Sequence, residues 1–283
     1  SRLYRSADRG ATWAEEPRMG LPAGVECRSV TIDYRNPQTM YLVTSGGIYR
    51  RQGGGEWGLV NTLTATALAV DLRDPNVLWA GTYASTEYHA VILKSQNAGR
   101  TWGKADLGVS GGWTTDILVD PRDPNILWAV VRTSWKGWPA GDLYRGGRDG
   151  RWERLDLKQF QPDYRNVNSC HVAGIAYDPN ANLLFAGCDL SYYNQGNVFA
   201  IRSPNADAAD SSTVRWEVAA RFQQESLQTY GMTRPLAVDA REPKSLFLSV
   251  SLSEYGKPRR YHILVSHDDG ATWEPLPLGG LPR

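Results

Sequence analysis

The chain has 283 residues, a formal net charge of +1 and 41% hydrophobic residues. This near-neutral balance gives no electrostatic footprint for a nucleic acid, which we exclude as a partner. No apolar run approaches the length of a transmembrane helix, no targeting segment is recognisable at the N-terminus, and no motif implies a cofactor.

The first elements in chain order are a short apolar run, Leu3-Tyr4-Arg5, and an eight-residue segment from Ser6 to Trp13. The same octapeptide pattern returns at Ser95–Trp102 and Ser266–Trp273, and weaker copies end at Trp57, Trp152 and Trp216. Self-similarity at a period of about 45–60 residues predicts a repeat architecture.

A second repeated element lies between these segments. Its clearest copies start at Asp71 and Asp120 and contain Asp-Pro-Asn, and looser copies start at Asp33, Asp178 and Asp239. Proline presets φ, and Asp and Asn side chains bond their own backbone, so this centre is typical of a tight turn. Apolar runs on both sides predict two antiparallel strands joined by that turn.

A third apolar run precedes each octapeptide and a fourth starts at its tryptophan, so one unit has four antiparallel strands. Such units repeated radially are the blades of a β-propeller. We predict an all-β chain, a β-propeller of about six four-stranded blades whose first blade is incomplete at the N-terminus. The single domain spans 1–283, with a partial blade at 1–28 and blades at approximately 29–63, 64–113, 114–170, 171–231 and 232–283.

The first blade is predicted to be incomplete because the chain opens at its third strand. The tail from Glu274 to Arg283 is too short and too rich in Pro and Gly to supply two strands. Three interpretations follow: a missing N-terminal segment, which we prefer, a two-stranded first blade, or a partner chain on the open blade edge. Unpaired strand edges invite such partners.

The residues of the octapeptide are suited to stabilise a turn. The side chain of Asp8, Asn97 or Asp268 can accept backbone N–H groups, glycine supplies a positive φ, and Trp13, Trp102 or Trp273 fills the gap between blades. We therefore interpret these six residues as structural. The Asp-rich turns lack the dense carboxylate spacing of a calcium loop, and no metal site is predicted.

The octapeptide resembles the Asp-box, or BNR repeat. The chain is similar over nearly its whole length to propellers that carry it: bacterial sialidases, xyloglucan-cleaving glycosidases, the sortilin luminal domain and photosystem II assembly factors. The resemblance implies the fold, but not one function, because these relatives do unrelated things.

The three cysteines are Cys27, Cys170 and Cys188. Cys170 and Cys188 are predicted on adjacent strands, roughly three residues out of direct register, where a disulfide is one of two open alternatives. Cys27 is then left over, and no spacing suggests a metal site.

Insertions concentrate on the face opposite the repeated turns, and loops on a rigid scaffold are where function concentrates. Aromatic, amide and charged residues dominate them, a mixture that suits sugar rings or a polypeptide partner. Candidate ligand-binding residues on this face and at the starts of the inner strands are Trp113, Trp135, Trp138, Tyr192, Tyr193, Tyr255, Arg234 and His171.

A glycosidase needs two carboxylates that flank one bond. The main candidates are Asp116, Asp163 and Glu225, and other carboxylates on the loop face are Glu87, Asp189 and Glu254. Asp116 has an alternative interpretation as a hydrogen-bonded channel residue. Sialidases also use three arginines, which Arg28, Arg234 and Arg259 could imitate, but the Arg-Ile-Pro signature of that family is absent. The glycine-rich N-terminal signature of the xyloglucan-cleaving relatives is absent as well.

These departures favour a non-catalytic protein over an enzyme. We expect a secreted, periplasmic or cell-surface propeller that binds a protein or a glycan through its aromatic-rich loop face, or that is a subunit of a larger assembly. The alternative is a glycoside hydrolase of the sialidase-like superfamily.

Overall fold

The computed structural model describes residues 2–8, 10–83, 92–106, 108–109, 112–135, 138–160, 170–190, 197–223, 229–239, 244–254 and 258–276. Within these ranges the chain forms 22 β-strands and two 3₁₀ helices, Lys158–Phe160 and Ser211–Thr213. Over the same ranges, no helix has the length and apolar character needed to span a bilayer.

The chain divides into two compact units. The described residues of the first lie in Ser1–Ala129 and Gly146–Glu153, and those of the second in Val130–Arg145 and Arg154–Leu276.

Three antiparallel sheets lie entirely within the first unit. The first sheet has only two strands, β1 (Tyr4–Arg5) and β2 (Ala14–Glu15). The second sheet has four strands in the order β3 (Cys27–Ile32), β4 (Thr39–Thr44), β5 (Gly47–Gln52) and β6 (Gly58–Asn61). The third sheet repeats this pattern with β7 (Ala65–Val70), β8 (Leu78–Thr82), β9 (Ile92–Ser95) and β10 (Gly103–Lys104).

A fourth sheet follows, and the chain passes from the first unit to the second within its second strand, between Ala129 and Val130. Its four strands, in order, are β11 (Trp113–Val119), β12 (Ile126–Trp135), β13 (Trp138–Gly147) and β14 (Trp152–Arg154).

The second unit contains an eight-stranded sheet made of two four-strand groups. The first group is β15 (His171–Asp178), β16 (Leu183–Leu190), β17 (Asn197–Ser203) and β18 (Glu217–Gln223). The second group is β19 (Thr229–Asp239), β20 (Ser245–Glu254), β21 (Arg260–Ser266) and β22 (Glu274–Pro275). A short pairing of β16 with β19 joins the groups, with Asp189 opposite Met232 and Leu190 opposite Gly231. The predicted all-β chain of four-stranded antiparallel sheets is confirmed.

The hairpins that open the four-stranded sheets turn around a buried aspartate. Asp71 Oδ1 accepts the backbone N–H of Arg73 at 2.9 Å, and Asp71 is also paired with Arg148 across 3.0 Å. Equivalent N–H acceptances occur at Asp33, Asp120 and Asp178, which are all buried. Each carboxylate thereby accepts hydrogen bonds from backbone N–H groups of the turn that would otherwise be buried without a partner.

The three strong octapeptides, which we call box turns, share one hydrogen-bond scheme. In the last copy, Ser266 Oγ accepts the N–H of Gly270 at 2.9 Å and Asp268 Oδ1 accepts the N–H of Thr272 at 2.8 Å. The same acceptances are made by Ser6 and Asp8 in the first copy and by Ser95 and Asn97 in the second. Gly270 has a φ of 83°, a conformation that favours glycine. The strand after each box turn begins one residue beyond the tryptophan rather than at it.

The weak copy that ends at Trp216 is an interrupted box turn. Ser203 Oγ accepts the N–H of Asn205, and Asn205 Oδ1 accepts the N–H of Arg215 at 2.8 Å. This last bond bridges ten residues, whereas its equivalent from Asn97 to Thr101 bridges four. The extra chain, which includes the 3₁₀ helix Ser211–Thr213, hides the repeat in the sequence.

The core lies between adjacent sheets. Tyr41, Val43 and Ile48 of the second sheet form one cluster with Leu68 and Val70 of the third, and Trp102 packs against it. In the second unit, Trp273 packs against two clusters that join residues of both four-strand groups. The box tryptophans Trp102 and Trp273 therefore contribute to contacts between neighbouring strand groups.

Candidate functional site

Several residues proposed from the sequence lie outside the described part of the chain. These are Glu87, Asp163, Tyr192, Tyr193, Glu225 and Tyr255. Trp135 ends β12, Trp138 begins β13 and Glu254 ends β20, and the structure describes only their backbone.

In the first unit, the Tyr83 ring lies close to side chains from two sheets, Arg28 of β3 and Trp113 of β11. The rings of Tyr83 and Trp113 stack with their centroids 6.3 Å apart and their planes 28° from parallel. The guanidinium carbon of Arg28 lies 6.0 Å from the centroid of the Tyr83 ring, and Tyr83 is 57% exposed. We call Arg28, Tyr83 and Trp113 the aromatic ledge. Trp113 was a ligand-binding candidate from the sequence, Arg28 was a candidate for an arginine triad, and Tyr83 was not named as a candidate.

Local backbone contacts hold the ledge in place. Tyr83, directly after β8, forms an isolated antiparallel bridge with Trp113 at the start of β11. Two residues earlier, a Cβ on Gly81 would lie only 2.6 Å from Thr114 Cβ, so glycine permits the close approach of the two strands. Arg28 Nη1 also donates to the carbonyl oxygen of Ala65 at 3.3 Å, which fixes its side chain.

Asp116 lies in β11, three residues after Trp113. It is half-buried and has an interaction partner, so it is not an isolated carboxylate. It lies on the same strand as Trp113 of the ledge.

The second unit holds a separate group of charged residues. Arg132 Nη2 of β12 lies 2.5 Å from Asp189 Oδ2 of β16, and His171 of β15 is the direct cross-strand neighbour of Asp189. Arg132 Nε and His171 Nδ1 are buried without a hydrogen-bond partner among the described residues. We call Arg132, His171 and Asp189 the charged cluster.

A disulfide between Cys170 and Cys188 lies beside this cluster. Both cysteines are fully buried, and they immediately precede His171 and Asp189 in the chain. Val172 is the partner of Cys188 in the strand register, so the bonded residues are two rather than three positions out of register. The bond cross-links the strand ends that place His171 opposite Asp189, and Cys27 remains a free thiol.

Burial and charge act in opposite directions on His171. Burial lowers its pKa below the usual 6.5, Asp189 raises it, Arg132 lowers it and Asp142 raises it, in decreasing order of effect. Burial prevails, so the imidazole is neutral at pH 7. A neutral His next to an Arg–Asp ion pair can donate one hydrogen bond and accept another, but it adds no positive charge.

Arg28 belongs to the first unit, whereas Arg234 and Arg259 belong to the second, so the arginine triad stays a prediction. Arg234 belongs to the second unit, where its side chain packs so closely on Gly174 that a Cβ there would lie 2.5 Å from Arg234 Cγ. Arg259 is exposed and lies just before β21. Over the described ranges, no group of three or more His, Cys, Asp or Glu side chains has an arrangement suited to a metal ion.

Sequence reasoning missed Arg132. It follows the run Val130-Val131, which is fully buried, in the strand after the Asp120 turn. An arginine that continues a buried apolar run is the signal that could have identified it, because buried charges require partners.

Comparisons with known proteins agree with this fold. No family model matches the chain. A curated protein named "Xyloglucanase" from Paenibacillus sp. is 29% identical over 118 residues, which are 35% of this chain and 11% of that protein.

Two solved structures are similar at the level of the fold. A GH74 xyloglucanase from Xanthomonas campestris has a TM-score of 0.57 at 17% identity, covering 97% of this chain and 47% of its own. An ancestral GH74 enzyme has a TM-score of 0.55 at 17% identity, covering 93% of this chain and 33% of its own. This chain therefore spans less than half the length of each of these relatives. Together with the sheets described above, the likeness shows the predicted β-propeller fold.

Proposed function

We propose that this chain is a polysaccharide-binding β-propeller that uses the aromatic ledge as its contact surface. The observation that carries the proposal is the stacked pair Tyr83–Trp113, which is held by backbone pairing and leaves Tyr83 57% exposed. An exposed tyrosine on a rigid scaffold presents an apolar ring face and a polar hydroxyl that can contact a ligand.

The ledge has the chemistry that a sugar chain requires. The C–H face of a pyranose ring packs on flat aromatic rings, while its hydroxyl groups need hydrogen-bond donors and acceptors at the edge. Arg28 lies over Tyr83 and brings guanidinium donors to that edge. Support for a plant β-glucan as the ligand class comes from the curated and structural relatives, whose names specify xyloglucan.

The test is binding of tamarind xyloglucan, measured by affinity electrophoresis and calorimetry. We expect Trp113→Ala and Tyr83→Ala each to weaken binding by about tenfold or more, since the loss of about 1.4 kcal/mol is tenfold in affinity. Tyr261→Ala is the matched control, because Tyr261 is an exposed tyrosine of the second unit. Unchanged affinity in both ledge variants, with wild-type circular dichroism, would refute the proposal.

A second candidate function, hydrolysis of the same polysaccharide, is favoured by the 118-residue match to a xyloglucanase. Asp116 would then be one of the two carboxylates that such a reaction requires. Release of reducing ends that Asp116→Asn abolishes would establish this function. Binding of xyloglucan without any release of reducing ends would exclude it for this chain.

Three finer assignments complete the proposal. The box turns are Asp-box repeats, and the boundaries between blades fall near residues 28, 63, 113, 170 and 231.

The protein acts outside the cytosol, in the periplasm, at the cell surface or in the medium. The last assignment is supported by the Cys170–Cys188 disulfide, because such bonds persist in oxidising compartments. Fractionation of the source cells, followed by immunodetection, tests it.

A further inference from the structure

The interrupted box turn of the second unit borders an open cavity of about 570 Å³. A volume in the range of about 300–1,000 Å³ is typical of sites for small ligands. The residues that line the cavity are Lys158, Ser212, Thr213, Val214, Arg215 and Trp216. We call it the cationic pocket, because Lys158 and Arg215 are its charged lining residues.

Lys158 occupies a position that is a glycine in the preceding repeat. Lys158 and Gly108 each lie six residues after the tryptophan of an octapeptide and directly after Asp-Leu. Gly108 has a φ of 90° and Lys158 has a φ of 55°, a left-handed conformation that disfavours a side chain. A Cβ on Gly108 would lie 2.2 Å from the carbonyl oxygen of Trp152, the tryptophan of the next copy. Lys158 thus carries a long cationic side chain at a strained position beside Trp216, and such strain is concentrated at functional sites.

Arg215 occupies a position that is a threonine in the three box turns. The hydroxyl of that threonine is hydrogen-bonded within the turn, in the pairs Thr12–Asp8, Thr101–Asn97 and Thr272–Asp268. Arg215 keeps the equivalent backbone bond, from its N–H to Asn205 Oδ1 at 2.8 Å. Its side chain is exposed, and within the described ranges no hydrogen bond or ion pair engages the guanidinium. The donors of Arg215 are therefore available to a ligand.

Long-range bonds hold the inserted chain that forms one wall of the pocket. Lys158 Nζ donates to the carbonyl oxygen of Ser212 at 2.6 Å, which leaves two of its three N–H groups for other partners. Arg145 donates to the carbonyl oxygens of Ala206, Ala208 and Ala209. The wall is therefore ordered before a ligand arrives, which lowers the entropic cost of binding.

Acidic neighbours limit the negative charge that the pocket can accept. Lys158 Nζ lies 3.6 Å from Asp156 Oδ2. Hydrogen bonds from Ser212, and then the charge of Lys158, lower the pKa of Asp210, so this carboxylate is ionised at neutral pH. Lys158 is thus shared with carboxylates of the chain, whereas Arg215 is not. A group with one negative charge is therefore favoured over a doubly charged phosphate.

From these observations we infer that the cationic pocket binds the carboxylate of an acidic sugar, a hexuronate unit of a polysaccharide. Arg215 pairs with the carboxylate, for which its planar guanidinium is suited, and Lys158 supplies the second positive charge. The hydroxyl oxygens of Ser212 and Thr213, both exposed residues, can accept hydrogen bonds from the sugar hydroxyls that flank the carboxylate. The pocket belongs to the second unit and the aromatic ledge to the first, so this inference does not depend on the function proposed for the ledge.

The probes are the trimers of galacturonate and of β-1,4-linked glucuronate, titrated into the full chain and followed by NMR and calorimetry. We expect at least one trimer to bind saturably and to shift the amide signals of residues 212–216. Arg215→Thr and Lys158→Gly should each weaken this binding by about tenfold or more. Both substitutions install the residue that other repeats carry, so the fold should be retained, as circular dichroism can check. Arg151→Thr is the matched control and should leave the affinity unchanged, because Arg151 precedes Trp152 in another copy of the octapeptide and its side chain is 79% exposed.

Three further ligands test what the pocket recognises. The methyl ester of the bound trimer keeps the hydroxyl groups without the charge, inorganic sulfate has charge without a sugar, and a hexaglutamate peptide represents an acidic protein. Each should bind at least about tenfold more weakly than the trimer. Equal or tighter binding of any of them would overturn the inference, because the pocket would then recognise hydroxyl groups alone, any anion or an acidic peptide. Absence of binding by both trimers, or trimer binding that Arg215→Thr and Lys158→Gly leave unchanged, would overturn it as well.

Discussion

The Arg132 guanidinium lies 2.5 Å from the Asp189 carboxylate, and the two side chains are only 11% and 21% exposed. Removal of one partner leaves the other charge poorly solvated and unpaired. We therefore expect Arg132→Met to lower the free energy of unfolding by about 3 kcal/mol, measured by urea denaturation. The double variant Arg132→Met with Asp189→Asn should recover part of this loss, because neither charge is then left alone.

The chain contains a matched control for this pair. Arg154 and Asp142 are 3.2 Å apart, but the Arg154 side chain is 54% exposed. Arg154→Met should cost less than about 1 kcal/mol, since exposed ion pairs contribute little. Equal losses of unfolding free energy in Arg132→Met and Arg154→Met would contradict the importance that we assign to burial.

The disulfide should contribute to stability through the strand ends that it joins. Replacement of both Cys170 and Cys188 by serine is expected to lower the free energy of unfolding by about 2–4 kcal/mol. Cys27→Ser should have little effect, because Cys27 is unbonded. In denaturant without reductant, the natural chain should have one reactive thiol, that of Cys27. If the double variant lost no more than a third of this expected free energy of unfolding, a structural role for the bond would be contradicted.

Much of the fold could be predicted because its signals are local. The turns at Asp71 and Asp120 and the box turns are held by hydrogen bonds that span two to four residues. A short segment therefore contains all the groups that determine its conformation. The interrupted box turn was only partly visible, since its closing bond spans ten residues from Asn205 to Arg215.

The candidate sites were harder to predict because their contacts are long-range. Arg28, Tyr83 and Trp113 come from β3, from the residue after β8 and from β11, and their local sequences do not indicate that Arg28 lies over Tyr83. Arg132 is 57 residues from Asp189 in the chain, and only the strand register and sheet packing bring them together.

The pKa of His171 tests the charged cluster, because Asp189 and Arg132 shift this pKa in opposite directions. Asp189 raises this pKa and Arg132 lowers it, so Asp189→Asn should lower the pKa and Arg132→Met should raise it. Titration of the imidazole signals by NMR measures both shifts. Movement of the pKa in the same direction in the two variants would contradict the placement of His171 beside the ion pair.

The lowered pKa of His171 also predicts how stability depends on pH. Below the unfolded value of 6.5, the unfolded chain binds a proton that the folded chain resists, so stability falls as the pH falls from 6.5 to the folded pKa. His171→Gln should remove this part of the dependence, which is measured as the difference between the urea denaturation profiles of the two proteins. Parallel profiles between pH 7 and pH 5 would show that His171 does not contribute.

The box turns predict a separate loss of stability in acid. Hydrogen bonds from Thr12 and Thr272, followed by those from Ser6 and Ser266, lower the pKa of Asp8 and of Asp268 to about 2. Because the folded pKa lies below the unfolded value of 3.8, this contribution is present above pH 3.8 and is lost as the pH falls through about 2. Asn97 makes the equivalent bonds with an amide, so Asp268→Asn should retain the turn and remove its titration. Thermal unfolding between pH 4 and pH 2 should then show a shallower decline for the variant, and a decline as steep as that of the natural chain would count against the role of the Asp268 carboxylate.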